Sequence, residues 1–340
     1  MDSHPIAFST LAIVLCIHVS KLYRWYKHFL SEFSPEKAAG VLHQHDISSK
    51  GQSVRVPIMQ PSHIGEEMAI DEKHIDGEFY TVLTNKKTGK VALLAQTVRN
   101  EEIARILHPY TEQRFQVRVL TRDLANQYDW VGRTCFPNAM QVADKFHIIR
   151  QALEQLQAHR ISFRQALLSQ RRQAWQTHKQ QKTTTPFSFN EEKLENGETH
   201  LELLARSRYL LYKFPTDWSQ SQKTRADVLF THYPSIKQAY DLICRFRRWY
   251  RKCFVGTAKS LLNERLKNWF TLVDQADILE INNFKSLVER HQGVILNYFV
   301  KGHTNAIAEA NNKKLNTFIR NNQGLKDKDF FFFRIKNYFC

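Results

Sequence analysis

Glycine and proline are scarce, with 11 and 9 in 340 residues. So few turn-forming residues exclude a Gly-rich sandwich or barrel and point to long helices. Cysteine is scarce too. Cys16, Cys135, Cys244, Cys253 and Cys340 are odd in number, far apart and without a Cys-x-x-Cys pair, so no zinc pairing is expected and a reduced, cytosolic chain is the simplest reading. A long apolar run is missing: Ile6 to Val19 covers 14 residues and is broken by Ser9, Thr10 and His18, where ~20 are needed to cross a bilayer. No cationic region precedes that stretch and no small-residue cleavage site follows it, so neither a membrane anchor nor a cleaved signal is expected. Acid is in deficit as well. The 33 Asp+Glu face 49 Lys+Arg, a net charge of +16, which excludes an indifferent surface and favours nucleic acid as partner over an anionic membrane.

What is present is a core: 42% hydrophobic and 12% aromatic residues in a length that suits two domains or one with a large insertion. Residues 1–45 are expected to be helical, with two helices broken near Cys16 to Val19. The second carries Leu22, Trp25, Tyr26 and Phe29 with Lys21, Arg24 and Lys27 between them, in the manner of a helix-turn-helix without its turn glycine. The alternative for this segment is a pair of ordinary amphipathic helices. Residues 46–65, rich in Ser and containing Pro57 and Pro61, are expected to be a linker.

Short apolar runs follow. Met68–Ile70 before Asp71, Phe79–Leu83 and Lys90–Leu94 are expected strands, with a hairpin turn at Asn85–Gly89. A helix, Asn100–Leu107, leads to a strand over Phe115–Leu120 ending at Asp123, and a fifth strand, Gln141–Ala143, ends at Asp144. The order β-β-β-α-β-α-β has the connectivity of a ribonuclease H fold. From Phe146 to about Gln180 the spacing predicts a long basic helix; a polar loop follows, and helical spacing returns over 199–300. The expected class is α/β with a large all-α portion: a ribonuclease H-like mixed sheet interrupted by a helical insertion, with a short N-terminal helical segment. The divisions are 66–150 and 296–340 for the core and 151–295 for the basic insertion.

In that connectivity the strands ending at Asp71 and Asp123 are neighbours, so two carboxylates meet. Paired acids repel unless cations lie between them, and hard oxygen donors suit Mg²⁺ or Mn²⁺. The alternative is that each Asp only caps the following turn. On a helix, Asn305, Glu309, Asn312 and Lys313 share one wholly polar face, which is either a site or a solvated stripe. The block Arg245-Phe246-Arg247-Arg248-Trp249-Tyr250-Arg251-Lys252 separates a basic from an aromatic helical face, which reads as core on one side and, on the other, either phosphate contact or a merely solvated cationic face. The run Phe330 to Phe333 is expected to be a buried terminal element.

The segment Gly302-His303-Thr304-Asn305-Ala306-Ile307-Ala308-Glu309-Ala310-Asn311-Asn312-Lys313-Lys314 resembles the Asn-x-x-x-Glu-x-x-Asn-Lys stretch of DDE transposases of bacterial insertion sequences, in particular the ISL-three group. Phe136-Pro137-Asn138-Ala139 with Asp144-Lys145-Phe146-His147 is similar to that group's Pro-x-Ala and Asp-x-Phe-His patterns. Ile70-Asp71-Glu72 and Asp123 with Tyr128 match it too. The resemblance covers 66 to about 335. It implies a transposase whose Asp71, Asp123 and Glu309 hold two Mg²⁺ or Mn²⁺ ions, with Asp144, His147, Asn305 and Asn312 beside them. Lys313, Lys314 and Arg320 are read as DNA contacts, with Arg245, Arg247, Arg248, Arg251 and Lys252 on the insertion. The partners implied are double-stranded DNA, both element ends and target, in a homo-oligomer and with no membrane, in the bacterial cytoplasm at the nucleoid. The spacings of 52 and 186 residues between the three acids require a helical insertion before the last one. Relatives open with a cysteine zinc module, whereas here only Cys16 precedes Asp71. End recognition then falls to residues 1–33 or to a separately encoded partner, or is lost in a truncated copy. The rivals are a ribonuclease H-like nuclease without strand transfer and a non-catalytic DNA-binding remnant.

Overall fold

The computed structural model describes residues 6–181, 186–189, 191–252, 256–301, 306–321 and 327–339. The chain forms two compact units, one of Met1–Asp144 with His303–Cys340 and one of Lys145–Gly302.

The first unit is built on strands. β1 (Ile47–Ser49) and β2 (Gln52–Val54) make a small hairpin. The main sheet holds β3 (Ile58–Met59), β4 (Glu67–Ile75), β5 (Glu78–Asn85), β6 (Val91–Ala95), β7 (Val119–Arg122) and β8 (Met140–Ala143) in the order β3-β6-β5-β4-β7-β8. The β4–β5–β6 meander is antiparallel, and β7 and β8 add in parallel beside β4. This is the mixed sheet of a ribonuclease H-like fold. Local chemistry closes the hairpins. Asp76 and Gly77, both at positive φ, supply the two-residue turn between Ile75 and Glu78. Asn85 Oδ1 accepts from the Lys87 and Thr88 N–H groups in the expected Asn85–Gly89 turn.

Both faces of the sheet are covered. On one, Met68, Ile70, Leu83 and Leu120 pack with Ile103, Ile106 and Leu107 of the Asn100–Leu107 helix and Tyr128 and Val131 of the Asn126–Cys135 helix. On the other, Ile75, Tyr80, Val82 and Leu94 pack with Leu315 and Phe318 of the Ala306–Asn321 helix and with Phe330, Phe331, Phe332 and Ile335 of the Lys328–Phe339 helix. The Phe330–Phe332 run is thus core, with Phe333 half-buried at its edge.

Four expectations change. The first strand does not stop before Asp71 but continues to Ile75, because β5 pairs with it along its whole length. Phe115 and Gln116 belong to a short helix, Thr111–Gln116. It is anchored by Arg114, which donates to the Cys135 and His108 carbonyls, and by Gln116, which donates to the Ile64 carbonyl. The 46–65 stretch carries three strands, and its Val54, Val56, Ile58, Met59 and Ile64 are buried against the sheet, so side-chain burial overrides its Ser- and Pro-rich composition. The N-terminal helices, Phe8–Val14 and Val19–Trp25, turn at Cys16, which adopts a left-handed conformation where a glycine is usual. Only Leu22 and Tyr26 of the expected stripe are buried. Trp25 and Phe29 face outward, and Tyr26 and Phe33 pack edge-on against Phe330.

The second unit is helical. Its axis is Lys145–Gln180, 36 residues and about 54 Å long. His200–Arg206, Gln220–His232, Pro234–Lys252, Lys259–Ala276, Leu279–Arg290 and Gln292–Lys301 complete it. Capping boxes at Thr199/Glu202 and Ser219/Gln222 start two of these helices. Asp277 in left-handed conformation ends a third. Phe246, Trp269, Phe284 and Phe299 are buried within the unit, and Phe246 meets Trp269 and Phe284 ring to ring. Buried polar groups tie the axis to its neighbours: His159 lies between Glu280 Oε2 at 2.9 Å and Ser235 Oγ at 2.8 Å, and Arg160 Nη1 donates to the Leu204 carbonyl at 2.6 Å. Among the described residues no helix is long and apolar enough to cross a membrane.

Truncating the buried aromatic in Phe331→Ala should lower unfolding free energy by about 3–5 kcal/mol, whereas Phe29→Ala, at an exposed ring, should change it by under about 0.5 kcal/mol; urea denaturation of the full chain reads both. A pH titration of stability tests Glu198 in the second unit. Burial opposes its charge, but hydrogen bonds from Arg225 and Arg206 outweigh that and hold its carboxyl below the usual range. A lowered folded-state value means the stabilisation is complete above the ordinary glutamate value and drains as pH falls through the lowered one. Glu198→Gln should therefore lose stability at neutral pH and flatten the acid side of the profile.

Candidate active site

The two expected aspartates arrive side by side through strand register. Ala69 of β4, Thr121 of β7 and Val142 of β8 stand opposite one another. Asp71, Asp123 and Asp144 each lie two residues further on, so the alternation of side chains returns all three to the face that Ala69, Thr121 and Val142 share. The Asp144 N–H continues the ladder by donating to the Arg122 carbonyl at 2.8 Å. Asp71 also pairs across β4–β5 with Val82, whose side chain packs with Leu315 and Phe318 of the Ala306–Asn321 helix. That helix includes Glu309, six residues before Leu315, or about 9 Å along the axis. Asn305 and the side chains of Glu309 and Asn312 lie outside the described residues.

Each aspartate is held. Asp71 Oδ1 accepts from the Glu72 N–H at 2.8 Å and Oδ2 from Lys73 Nζ at 2.6 Å, both side chains being mostly buried. Asp123 Oδ1 caps the next turn by accepting from the Ala125 N–H at 2.8 Å, so the bland role expected for it is real and occupies only one of its oxygens. Arg122, fully buried, fixes the opposite face: its guanidinium donates to the Asp123 carbonyl at 2.8 Å, to Gln141 Oε1 and to Asp129 Oδ1. Lys86, also buried, donates from Nζ to Thr121 Oγ1 at 3.0 Å; burial lowers its pKa while Glu67 and Asp144 pull it back up. Burial followed by the charges of Asp123 and Asp71 raises the pKa of Glu72. Burial is the main cause of the rise at the Tyr128 phenol, to which Glu72, Asp123 and Asp71 add. The field here is that of a crowded set of carboxylates.

With this geometry in place, comparison with protein families is decisive: the model of the ISL3 group of DDE transposases matches residues 68–335. The chain belongs to the ISL3 family of DDE transposases. No curated protein matches it. Membership assigns the transposase to DNA transposition and to the enzymes that cut and join DNA strands, a class that uses divalent metal ions.

The donor set of the transposase suits such an ion. Asp71 and Asp123 offer only hard oxygens, and their charges, which after burial help raise the pKa of Glu72, are ones a cation would offset. Lys73 already places an ammonium on Asp71 Oδ2. Among the described residues, no three His, Cys, Asp or Glu side chains form a metal-holding group; Glu309 is not among the side chains described. His147 lies in the first turn of the Lys145–Gln180 helix with a buried Nδ1 that has no hydrogen-bond partner among the described residues.

The expected DNA contacts fall on two helices. Lys313, Lys314 and Arg320 are exposed on Ala306–Asn321. On Pro234–Lys252 the basic and aromatic faces separate as expected. Phe246 and Tyr250 are buried, Arg245, Arg248 and Arg251 are exposed, and the Arg247, Arg248 and Arg251 guanidinium groups lie 4.1, 5.8 and 5.4 Å from the Phe214 ring centre. Lys252 ends that helix, and its side chain lies outside the described residues. Sequence reasoning passed over Lys73, Lys86 and Arg122. Lys73 was detectable as the i+2 neighbour of Asp71 on one strand face, whereas Lys86 and Arg122 depend on partners from other elements.

Arg122→Met should destabilise the protein by about 3 kcal/mol, because it takes the buried donor away from the Asp123 carbonyl, Gln141 Oε1 and Asp129 Oδ1 at once. Arg133→Met removes the exposed partner of the same Asp129 and should cost under about 1 kcal/mol. Thermal or urea unfolding separates the two.

Proposed function

We propose that the transposase cleaves phosphodiester bonds at the ends of its insertion sequence and transfers the freed strand into target DNA, in a reaction dependent on Mg²⁺ or Mn²⁺. The observation that carries this reading is the register that sets Asp71 beside Asp123 on the sheet face covered by the Glu309 helix. Asp71, Asp123 and Glu309 would hold two divalent ions, whose chemistry is to activate an oxygen nucleophile and stabilise the leaving oxygen. Water then attacks the phosphorus at the element end and breaks its P–O3′ bond, leaving a 3′-hydroxyl and a 5′-phosphate; that hydroxyl attacks a target phosphodiester in line, and the target's own 3′-oxygen leaves as a hydroxyl. No bond to the protein forms in either step. Ala125 N–H and the Arg122 guanidinium hold Asp123 and its turn in place, and Glu72 N–H with Lys73 orients Asp71. Asp144, His147, Asn305 and Asn312 are proposed to flank this centre. Lys313, Lys314 and Arg320, with Arg245, Arg247, Arg248, Arg251 and Lys252, bind phosphates. Joining two element ends calls for at least a dimer on DNA, with end recognition supplied by residues 1–33 or by a separate protein.

The test is cleavage and joining of a labelled duplex carrying the repeats that flank the gene, in Mg²⁺ and Mn²⁺. Asp71→Asn, Asp123→Asn and Glu309→Gln should each reduce both products at least about a hundredfold, while duplex affinity stays within about twofold because phosphate contacts dominate it. Cleavage retained by Asp71→Asn would overturn the assignment. Cleavage without joining would favour a nuclease, and metal-independent binding without cleavage a remnant.

A further inference from the structure

The Lys145–Gln180 helix changes character half-way. Its buried residues, Ile148, Ala152, Leu156, Gln157, His159 and Arg160, all precede Ile161. The remaining twenty residues include no buried one, although Leu168 and Trp175 are among them. A groove of about 880 Å³ runs along this half, formed by Leu168, Arg171, Arg172, Trp175 and Gln176 with Phe187 from the segment that follows. Leu168, Arg171, Arg172, Trp175, Gln176 and Lys179 recur at i, i+3, i+4, i+7, i+8 and i+11, which places them along one helical stripe. Nearly half of the Trp175 surface is exposed, and Lys179 Nζ lies 5.4 Å from its ring centre.

Charge identifies the occupant. No acidic residue occurs between Glu154 and Glu191, a stretch that holds Arg160, Arg164, Arg171, Arg172, Lys179 and Lys182. Arg171 reaches Glu191 at 3.8 Å, and Arg172 forms no ion pair among the described residues. An aromatic groove edged by two guanidinium groups, one of them shared with Glu191, suits a polyanion that also presents flat rings. In a paired duplex the base faces are covered by their neighbours, so Trp175 gains nothing from it. An unpaired base exposes its whole π-face, and stacking on tryptophan is indifferent to base identity.

We propose that this groove binds an unpaired nucleotide of a DNA strand, its base stacked on Trp175 and its flanking phosphates on Arg171 and Arg172. The proposal rests on DNA being the partner, and the experiment separates the two claims. Full-length protein is titrated into two fluorescent duplexes of one sequence, one blunt and one with a short single-stranded 3′ extension containing 2-aminopurine. Wild type binds both, prefers the extended duplex and changes the 2-aminopurine emission by stacking. Trp175→Ala should weaken binding of the extended duplex about tenfold, abolish the emission change and leave blunt-duplex affinity unaltered. Trp175→Phe, which keeps a ring, should retain most of the preference. Arg172→Gln should weaken both and lower the salt dependence by about one counterion. Equal preference for the extension in wild type and Trp175→Ala would overturn the proposal, and failure of wild type to bind either duplex would overturn the DNA reading with it.

Discussion

The parallel pairing of β4 with β7 is the constraint on which the site depends. Glu67, Met68 and Ala69 face Val119, Leu120 and Thr121, and this alignment brings two aspartates 52 residues apart to the same level of the sheet. A slip of one residue would turn Asp71 and Asp123 to opposite faces and take either Met68 or Leu120, both fully buried, out of the core layer it fills. Core packing therefore enforces the register, and the carboxylates follow it. Arg122 adds a polar lock on the far side of β7, joining the Asp123 carbonyl to Asp129 and Gln141.

Gathering carboxylates has an electrostatic cost: after burial, the charges of Asp123 and Asp71 add to the raised pKa of Glu72. Two lysines on this sheet offset it. Lys73 bonds Asp71 directly, and Lys86 sits beneath the row at Thr121, within the field of Asp144. Both are largely buried, so their charges act in a medium that screens them weakly. A ligand cation entering such a site joins a balance of charge that the fold already maintains from within.

The helical unit divides its labour along its axis. The first half of the Lys145–Gln180 helix is packed through His159, Arg160 and a stripe of aliphatic residues. Beyond Arg160 the sequence turns cationic and no residue of the helix is buried, which leaves Trp175 and Arg172 outside the packed part of the unit. The same separation appears on Pro234–Lys252, where Phe246 and Tyr250 enter the core while three arginines gather on Phe214.

Local signals in the sequence were strong where a single element decides the outcome. The Asn100–Leu107 helix, the Asn85–Gly89 turn, the meander, the buried Phe330–Phe332 run and the split faces of Arg245–Lys252 were legible from spacing alone, because periodicity and turn chemistry are properties of neighbours in the chain. The family resemblance lay in short motifs around Asp71, Asp123, Asp144 and Glu309. The sequence could not by itself reveal that 46–65 becomes strand, that 111–116 becomes helix, or that Asp71 stands in mid-strand. Those outcomes depend on distant partners: the β5 ladder, the Ile64 and Cys135 carbonyls, and the hydrophobic face that receives Val54 to Met59. Fold class, cationic character and the candidate acids can be read along the chain; the groups that hold Asp71 and Asp123 follow from folding, because Lys86 and Arg122 find their partners across strands and helices that lie apart in the chain.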